Sequence, residues 1–189
     1  MSRWQPNAPE RLALAALELF AERGYENTTV IEIAERAGLT KSTFFRHFID
    51  KREVLFGDGG MPSVLAEAIA GAPPPATPLQ AVAEALEAAG SNVFTSERRA
   101  FGVRRRAVIA ANRELQEREA LKGLALTGAM VDALTKRGVS DLVARVAAQL
   151  GALAFAVAYD RWADAEHDEA FGDLVRGTLD ELQAAAAVC

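Results

Sequence analysis

A run of polar and basic side chains near the start of the chain is the part best suited to chemistry with another molecule. Lys41, Ser42, Thr43, Arg46 and His47 occur within a few residues of one another. Lysine and arginine can donate hydrogen bonds to guanine O6 and N7, and hydroxyl groups can bind phosphate oxygens. A short helix that carries such side chains fits the major groove of DNA. The pattern therefore indicates nucleic-acid recognition.

Two predicted helices and a tight turn position these side chains. Thr29 followed by Glu32 is a capping box, which starts a helix by satisfying backbone N–H groups. Gly38 ends that helix where a left-handed backbone is needed, and Thr40 is placed to cap the next helix, Lys41–His47. The apolar residues of the first helix share one face: Val30, Ile33, Ala34 and Ala37. This arrangement predicts a helix-turn-helix.

The same stretch resembles the DNA-binding signature of the TetR family of bacterial transcriptional repressors. The matching residues are Thr29, Val30, Ile33, Ala34, Ala37, Gly38, Thr43, Phe45, His47, Phe48, Lys51 and Leu55. The match continues upstream with Ala16, Leu19, Phe20, Gly24, Tyr25 and Thr28. The resemblance covers under a third of the chain. It implies an N-terminal three-helix DNA-binding head with a helix-turn-helix, followed by a larger C-terminal helical domain for ligand binding and dimerisation.

Two residues depart from the family pattern. Ser42 stands where the family usually has glycine, and Phe45 stands where it usually has a tyrosine whose hydroxyl binds a phosphate. Loss of that hydroxyl removes one phosphate contact without changing the ring's packing, so we expect a modest loss of affinity. DNA binding itself is still expected. We interpret Phe44, Phe45 and Phe48 as a packed aromatic cluster.

The residues of the helix-turn-helix have separate expected roles. Lys41, at the front of the second helix, is the first candidate for direct base readout, and Arg46 is the second, with phosphate contact as its alternative. Four residues are expected to contact the DNA backbone: Thr29, Thr43, His47 and Lys51. For His47 the alternative is a solvent-facing side chain without a role. The full DNA-binding set is Thr29, Arg36, Thr40, Lys41, Ser42, Thr43, Phe45, Arg46, His47 and Lys51.

Composition indicates the fold class and is compatible with DNA binding. Half of the 189 residues are apolar. Alanine is abundant, and no alternating strand pattern lasts, so the fold class is predicted to be all-α. The net charge is −5, but residues 36–52 hold five basic residues and one acidic residue, a local charge of +4. Local charge decides phosphate contact, because distant charges are screened beyond about 8 to 10 Å.

The rest of the chain is predicted to form helices separated by clear breaks. The glycine-rich segment Gly57–Pro62 interrupts a fourth helix that opens at Asp50, and we interpret it as a loop, with a hinge as the alternative. The proline-rich segment Gly71–Pro78 is a linker. Further helices are predicted over about 78–93, 96–111, 112–137, 140–163 and 168–187. We expect a DNA-binding domain over residues 1–56 and a regulatory and dimerisation domain over residues 57–189.

The resemblance also implies a ligand pocket and a dimer interface in the C-terminal domain. Aromatic residues and an isolated polar group typically line ligand cavities, and plain core packing is the alternative for each candidate. The pocket candidates are Phe94, Phe101, Arg105, Met130, Phe155, Tyr159 and Trp162. The last two helices are expected to pair with their two-fold mates. The interface candidates are Val143, Leu150, Ala154, Val157, Phe171, Leu174, Val175, Thr178 and Leu182.

Together these features predict a homodimeric, cytoplasmic repressor that an unidentified small-molecule inducer releases from a palindromic double-stranded DNA operator. The alternative is a helical protein-interaction bundle without ligand-controlled DNA binding. Catalysis and a cofactor are not expected, because neither His47 nor His167 has metal-ligand spacing. The apolar run Val146–Tyr159 is too short to span a bilayer, so no membrane association is expected. The single cysteine, Cys189, fits a reducing compartment.

Overall fold

The computed structural model describes residues 7–57, 59–164 and 168–186. This part of the chain contains nine α-helices and no β-strand. The helices are α1 (Ala8–Arg23), α2 (Val30–Arg36), α3 (Lys41–His47), α4 (Met61–Gly71), α5 (Pro78–Val93), α6 (Arg99–Ala110), α7 (Arg113–Lys136), α8 (Asp141–Trp162) and α9 (Phe171–Ala186). Two short 3₁₀ turns are Lys51–Leu55 and Ser96–Arg98. The all-α prediction is confirmed, while the statements about His167 and Cys189 lie outside the described residues.

Capping side chains explain where several helices begin and end. Asn7 caps α1, because its Oδ1 accepts a hydrogen bond from the Glu10 N–H at 3.1 Å. Gly24, with a φ of 86°, follows the last residue of α1. Thr77 and Gln80 form a complete capping box at the start of α5. These boundaries are therefore encoded locally.

The predicted fourth helix does not begin at Asp50. The Asp50 carboxylate accepts hydrogen bonds from two following backbone N–H groups, and residues Lys51–Leu55 form a 3₁₀ turn instead of an α-helix. Gly57, with a φ of 70°, lies just beyond this turn. So short a segment supports a tight turn but not an α-helix, because an α-helical nucleus is costly to form. Regular helix begins only at Met61.

The described chain forms two compact units. The first comprises the residues up to Gly59 together with 104–119, and the second comprises 60–103 and the residues from Ala120 onward. Helices α6 and α7 therefore contribute residues to both units. Segment 104–119 joins the first unit through contacts that include an ion pair between Arg118 and Glu53. The domain boundary after residue 56 stays a prediction.

In the first unit, α1, α2 and α3 share one apolar core. Its fully buried side chains include Leu12 and Leu17 on α1, Ile33 on α2 and Phe44 on α3. Each such side chain stabilises the fold by about 1.5–3 kcal/mol relative to full exposure. The predicted three-helix head is therefore built around α1, which supports the helix-turn-helix.

In the second unit, five helices enclose a larger core. Leu65 and Ile69 of α4, Leu86 of α5 and Met130 of α7 are fully buried in it. Helix α8 contributes mainly small residues: Ala144, Ala147, Ala148, Gly151, Ala154 and Ala158. A Cβ atom at Gly151 would lie only 2.3 Å from Val82 Cγ1 on α5. The small residues of α8 therefore permit very close packing of α8 against α5.

Helix α8 also carries apolar residues that its own chain leaves exposed. Leu142 is 72% exposed and Val146 is 51% exposed, and Val143 and Leu153 are also exposed. The helix is longer than the run Val146–Tyr159, and its 22 residues are long and apolar enough to cross a membrane by length and composition alone. Core helices of soluble proteins meet the same criterion. An exposed apolar face of this kind is typical of an interaction surface.

Candidate nucleic-acid interface

The capping box predicted at the start of α2 is present. The Thr29 hydroxyl accepts a hydrogen bond from the Glu32 N–H at 3.3 Å, and the Glu32 carboxylate accepts from the Thr29 N–H at 2.8 Å and from the Thr29 hydroxyl at 2.7 Å. These hydrogen bonds from Thr29 hold the pKa of Glu32 below its usual value. The start of α2 is therefore fixed by the two residues identified from the sequence.

The turn between α2 and α3 has the backbone that the sequence predicts. Gly38 has a φ of 66°, and the Leu39 N–H donates to the Ala34 carbonyl at 2.8 Å. Arg11 on α1 adds a contact that the sequence reasoning missed, because its Nη2 donates to the Ala37 carbonyl. A Cβ at Gly38 would lie 2.9 Å from Arg11 Nη2. Glycine is thus required both by the backbone and by the guanidinium beside it.

Helix α3 divides into a buried face and an exposed face. Thr40 caps it by accepting a hydrogen bond from the Thr43 N–H at 3.1 Å. Phe44 and Phe48 are buried, as predicted for packing residues. Phe45 is 48% exposed, but its ring contacts Phe44 edge to face, so it belongs to the cluster on one side only. Four side chains line one open surface: Lys41, Ser42, Phe45 and Arg46.

Lys41 and Arg46 are the basic groups that this surface offers to a nucleic acid. Among the described residues, no carboxylate forms an ion pair with either side chain. By contrast, Arg52 pairs with Asp50 at 2.6 Å, and Arg36 pairs with carboxylates on α1. The local charge of +4 counted from the sequence is therefore partly neutralised, and Lys41 and Arg46 are the positive charges that remain on α3.

Arg36 is held by α1. Its Nη1 donates to Glu18 at 3.3 Å, and its Nη1 and Nη2 donate to the two oxygens of Glu22 at 3.0 and 2.9 Å. Hydrogen bonds from Arg36 are the main reason why the pKa of Glu22 lies below its usual value. In this arrangement Arg36 fastens α2 to α1, and the two carboxylates occupy the donors that a phosphate would need.

Lys51 is also committed within the head. Its Nζ donates to the carbonyl of Tyr25 at 2.7 Å and to that of Thr28 at 3.0 Å, and it lies 4.0 Å from the centroid of the Tyr25 ring. The ammonium thus ties the 3₁₀ turn to the loop between α1 and α2. Its expected contact with the DNA backbone stays a prediction, and the structure assigns it a supporting contact that the sequence did not reveal.

The other expected DNA contacts lie along α2 and α3. Thr29 and Thr40 are exposed caps, and Thr43 is half-buried with its hydroxyl 3.0 Å from the hydroxyl of Thr40. His47 is half-buried, and its Nε2 atom is buried with no hydrogen-bond partner in the part of the chain that the structure describes. The solvent-facing alternative for His47 therefore does not fit its position.

Residues 104–119 make contacts with the head that no local sequence motif predicted. The Tyr25 hydroxyl donates to Glu114 at 3.2 Å, and burial, reinforced by Glu114, raises the pKa of Tyr25. Arg105 donates to the Leu55 carbonyl at 2.8 Å and pairs with Glu119 at 3.1 Å. Arg105 was expected in the ligand pocket; it instead belongs to the first unit, because these partners hold it there.

The aromatic pocket candidates do come together in the second unit. The Phe94 ring lies 5.7, 5.6 and 5.2 Å, centroid to centroid, from Phe155, Tyr159 and Trp162. A further ring, Phe171, lies 4.3 Å from Phe94. Met130 is fully buried in the same core, and Phe101 is half-buried on α6. This aromatic cluster, Phe94–Phe155–Tyr159–Trp162–Phe171, is a packed core.

Burial separates the interface candidates into two groups. Five are buried against their own chain and are unavailable to a partner: Ala154, Phe171, Leu174, Val175 and Thr178. Their burial follows from the packing of α9 against α5 and α8. Leu150, Val157 and Leu182 are half-buried, and Val143 is exposed. The exposed apolar face of α8 adds Leu142, Val146 and Leu153, which the sequence analysis did not select.

The head matches a known family. Residues 13–57 match the family model described as "Bacterial regulatory proteins, tetR family". Over these residues the head is similar to that of the tetR family. The matched range begins in α1 and ends just after the 3₁₀ turn, so it contains the whole helix-turn-helix. Among the described residues, no three His, Cys, Asp or Glu side chains come together as a candidate metal site.

The relatives that match part of this chain are transcriptional regulators, which are not enzymes. The chain is 39% identical over 89 residues to the HTH-type transcriptional regulator TcmR of Streptomyces glaucescens, covering 47% of this chain and 39% of TcmR. It is 43% identical over 44 residues to the HTH-type transcriptional activator FasR of Mycolicibacterium smegmatis, covering 23% of this chain and 20% of FasR. Each match spans less than half of the relative's length.

Solved structures extend the likeness from the head to the whole fold. NalD, the secondary repressor of the MexAB-OprM multidrug efflux pump in Pseudomonas aeruginosa, has a TM-score of 0.59 at 18% identity, covering 94% of this chain and 95% of NalD. FadR from Bacillus subtilis, in complex with stearoyl-CoA, has a TM-score of 0.59 at 20% identity, covering 90% of this chain and 95% of FadR. At these identities the likeness shows the fold alone.

Proposed function

We propose that the chain is a sequence-specific DNA-binding transcriptional regulator that represses transcription by binding a palindromic operator. The observation that carries the proposal is the exposed face of α3. There Lys41 and Arg46 stand without carboxylate partners among the described residues, beside Ser42 on a capped helix. Such a helix presents donors to guanine and phosphate in the major groove. The match of residues 13–57 to the tetR family supports the same function.

A homodimer would present two heads, one to each half-site of the operator. Leu142, Val146 and Leu153 lie along one side of α8 and are exposed in the single chain. Packing this face on its two-fold mate would remove the apolar surface from water, and two copies of α3 would then reach half-sites about 34–36 Å apart. If this face packs on a second copy of the chain, α8 does not need to lie in a bilayer. We therefore place the protein in the cytoplasm.

A small-molecule inducer would enter the aromatic cluster. Four rings surround Phe94, and the Tyr159 hydroxyl donates to the Gly102 carbonyl at 3.4 Å. An apolar or aromatic compound of matching size could displace ring contacts there. A ligand that binds one dimer state more tightly shifts the population toward that state, and operator affinity falls by the differential binding energy.

Selection from random duplex DNA tests the proposed function. The purified chain is expected to enrich a palindromic site with half-sites about one helical turn apart, and its affinity for that site should fall steeply with salt. The double variant Lys41→Ala, Arg46→Ala should lose the enrichment while keeping its helical content. Failure of the wild-type chain to enrich any sequence at moderate salt would favour the helical protein-interaction bundle.

A further inference from the structure

Phe45 is the exposed member of three phenylalanines in and after α3. Phe44 and Phe48 are buried, whereas Phe45 has 48% of its surface exposed. The Phe45 ring makes an edge-to-face contact with Phe44, with centroids 5.5 Å apart and planes at 77°. One side of the ring is therefore anchored on the core, and the rest of it points outward.

The neighbours of Phe45 are the side chains proposed to bind DNA. Lys41 lies one helical turn earlier, with its Nζ 5.9 Å from the Phe45 ring centroid. Ser42 and Arg46 line the same open surface. If α3 lies in a major groove with Lys41 at a base edge, the Phe45 ring also lies at the bases, because both belong to one face.

A phenyl ring can recognise only one kind of group there. The base edges of the major groove present hydrogen-bond donors and acceptors and a single apolar group, the methyl at pyrimidine C5 of thymine. Phenylalanine has no polar atom with which to bind a phosphate or a base edge. We propose that Phe45 is a specificity-determining residue that packs on a thymine 5-methyl group, beside the base contacted by Lys41. This inference rests on the proposed function.

Removal of single methyl groups from the selected site tests the inference. Each thymine is replaced in turn by deoxyuridine, which lacks only the 5-methyl. The wild-type chain is expected to lose about fourfold in affinity at one position per half-site, and about fifteenfold when both half-sites are substituted. Phe45→Ala should bind the thymine and deoxyuridine duplexes equally. Ile49→Ala, an exposed apolar residue just after α3, is the matched control and should keep the wild-type difference.

A second arm asks whether the methyl alone is read. Replacing the identified thymine–adenine pair by 5-methylcytosine–guanine keeps the methyl and changes the hydrogen-bonding groups. The wild-type chain should bind this duplex about fourfold more tightly than the unmethylated cytosine–guanine duplex. Phe45→Ala should show no such preference.

Each outcome bears on one claim. Selection of no site would overturn the proposed function. A selected site that tolerates every deoxyuridine, or an equal deoxyuridine loss in wild type and Phe45→Ala, would overturn the role of Phe45 and leave the proposed function standing. The wild-type affinities for the deoxyuridine and methylcytosine duplexes need no variant, so a wild-type chain that tolerates every deoxyuridine would overturn the role of Phe45 even if Phe45→Ala did not fold.

Discussion

At the scale of single residues, two lysines of the head differ in what surrounds them. Lys41 is exposed on α3, whereas Lys51 donates to the carbonyls of Tyr25 and Thr28. From the sequence both were expected to contact DNA. The difference was not predictable, because the partners of Lys51 are backbone carbonyls more than twenty residues earlier, brought near only by folding. The same reason hid the role of Arg11 at the turn.

Lys41→Ala is predicted to relax base preference. A lysine on a guanine edge discriminates against the wrong base by about 1–3 kcal/mol, so affinity for the selected site should fall by roughly 5- to 150-fold. Affinity for random duplex should fall much less, since one charge among several phosphate contacts is lost. Binding titrations on both duplexes at one salt concentration measure the two losses. Equal losses would assign Lys41 to the phosphates.

Lys51→Ala is predicted to destabilise the fold. The change leaves two carbonyls without their donor and removes the cation from the Tyr25 ring. The free energy of unfolding should fall by about 1–3 kcal/mol. Urea denaturation measures it, and Lys41→Ala, which changes an exposed lysine of the same head, should stay within about 0.5 kcal/mol of wild type. Equal stability of the two variants would contradict the supporting role.

At the scale of elements, features that depend on neighbouring residues were predictable from the sequence, whereas features that depend on tertiary contacts were not. The capping boxes at Thr29 and Thr77 and the left-handed Gly38 follow from neighbouring residues and were predictable. The 3₁₀ turn at Lys51–Leu55 was predicted as α-helix, because an aspartate such as Asp50 can cap either kind of helix. The addition of residues 104–119 to the head depends on ion pairs between distant segments, such as Arg118 with Glu53.

Two glycine substitutions test the helix packing of the second unit. A Cβ at Gly90 on α5 would lie 2.2 Å from Cδ1 of the buried Phe171 ring. Gly90→Ala should therefore lower the free energy of unfolding by about 1–3 kcal/mol. Gly128 lies within α7 with no atom near its missing Cβ, so Gly128→Ala should raise it by about 0.5–1 kcal/mol. Denaturant unfolding of both variants would contradict this packing if their effects had the same sign.

At the scale of the whole molecule, the exposed face of α8 is an apolar surface that the single chain does not cover. Helix α8 is apolar on more than one side, so its sequence could not tell which stripe packs on its own chain. That is why Ala154 and several α9 residues were assigned to the interface although they are buried within one chain. Only the fold separates the residues that are buried within one chain from those that remain exposed.

Charges on the exposed face of α8 are predicted to prevent dimerisation. The double variant Val146→Asp, Leu153→Asp would bury four carboxylates in a two-fold interface, which is strongly unfavourable. Light scattering should give the mass of a dimer for the wild-type chain at micromolar concentration and of a monomer for the variant. Leu124→Asp, at an exposed leucine on α7, is the matched control and should remain dimeric. A dimeric double variant would move the interface elsewhere.

The central claim is that the chain reads DNA sequence through α3. Its most direct test is a titration of the purified chain on the selected palindrome and on a duplex of the same composition in scrambled order, at one salt concentration. We predict that the palindrome binds at least about 10³-fold more tightly, with two chains on each duplex. Equal affinity for the two duplexes would contradict the claim.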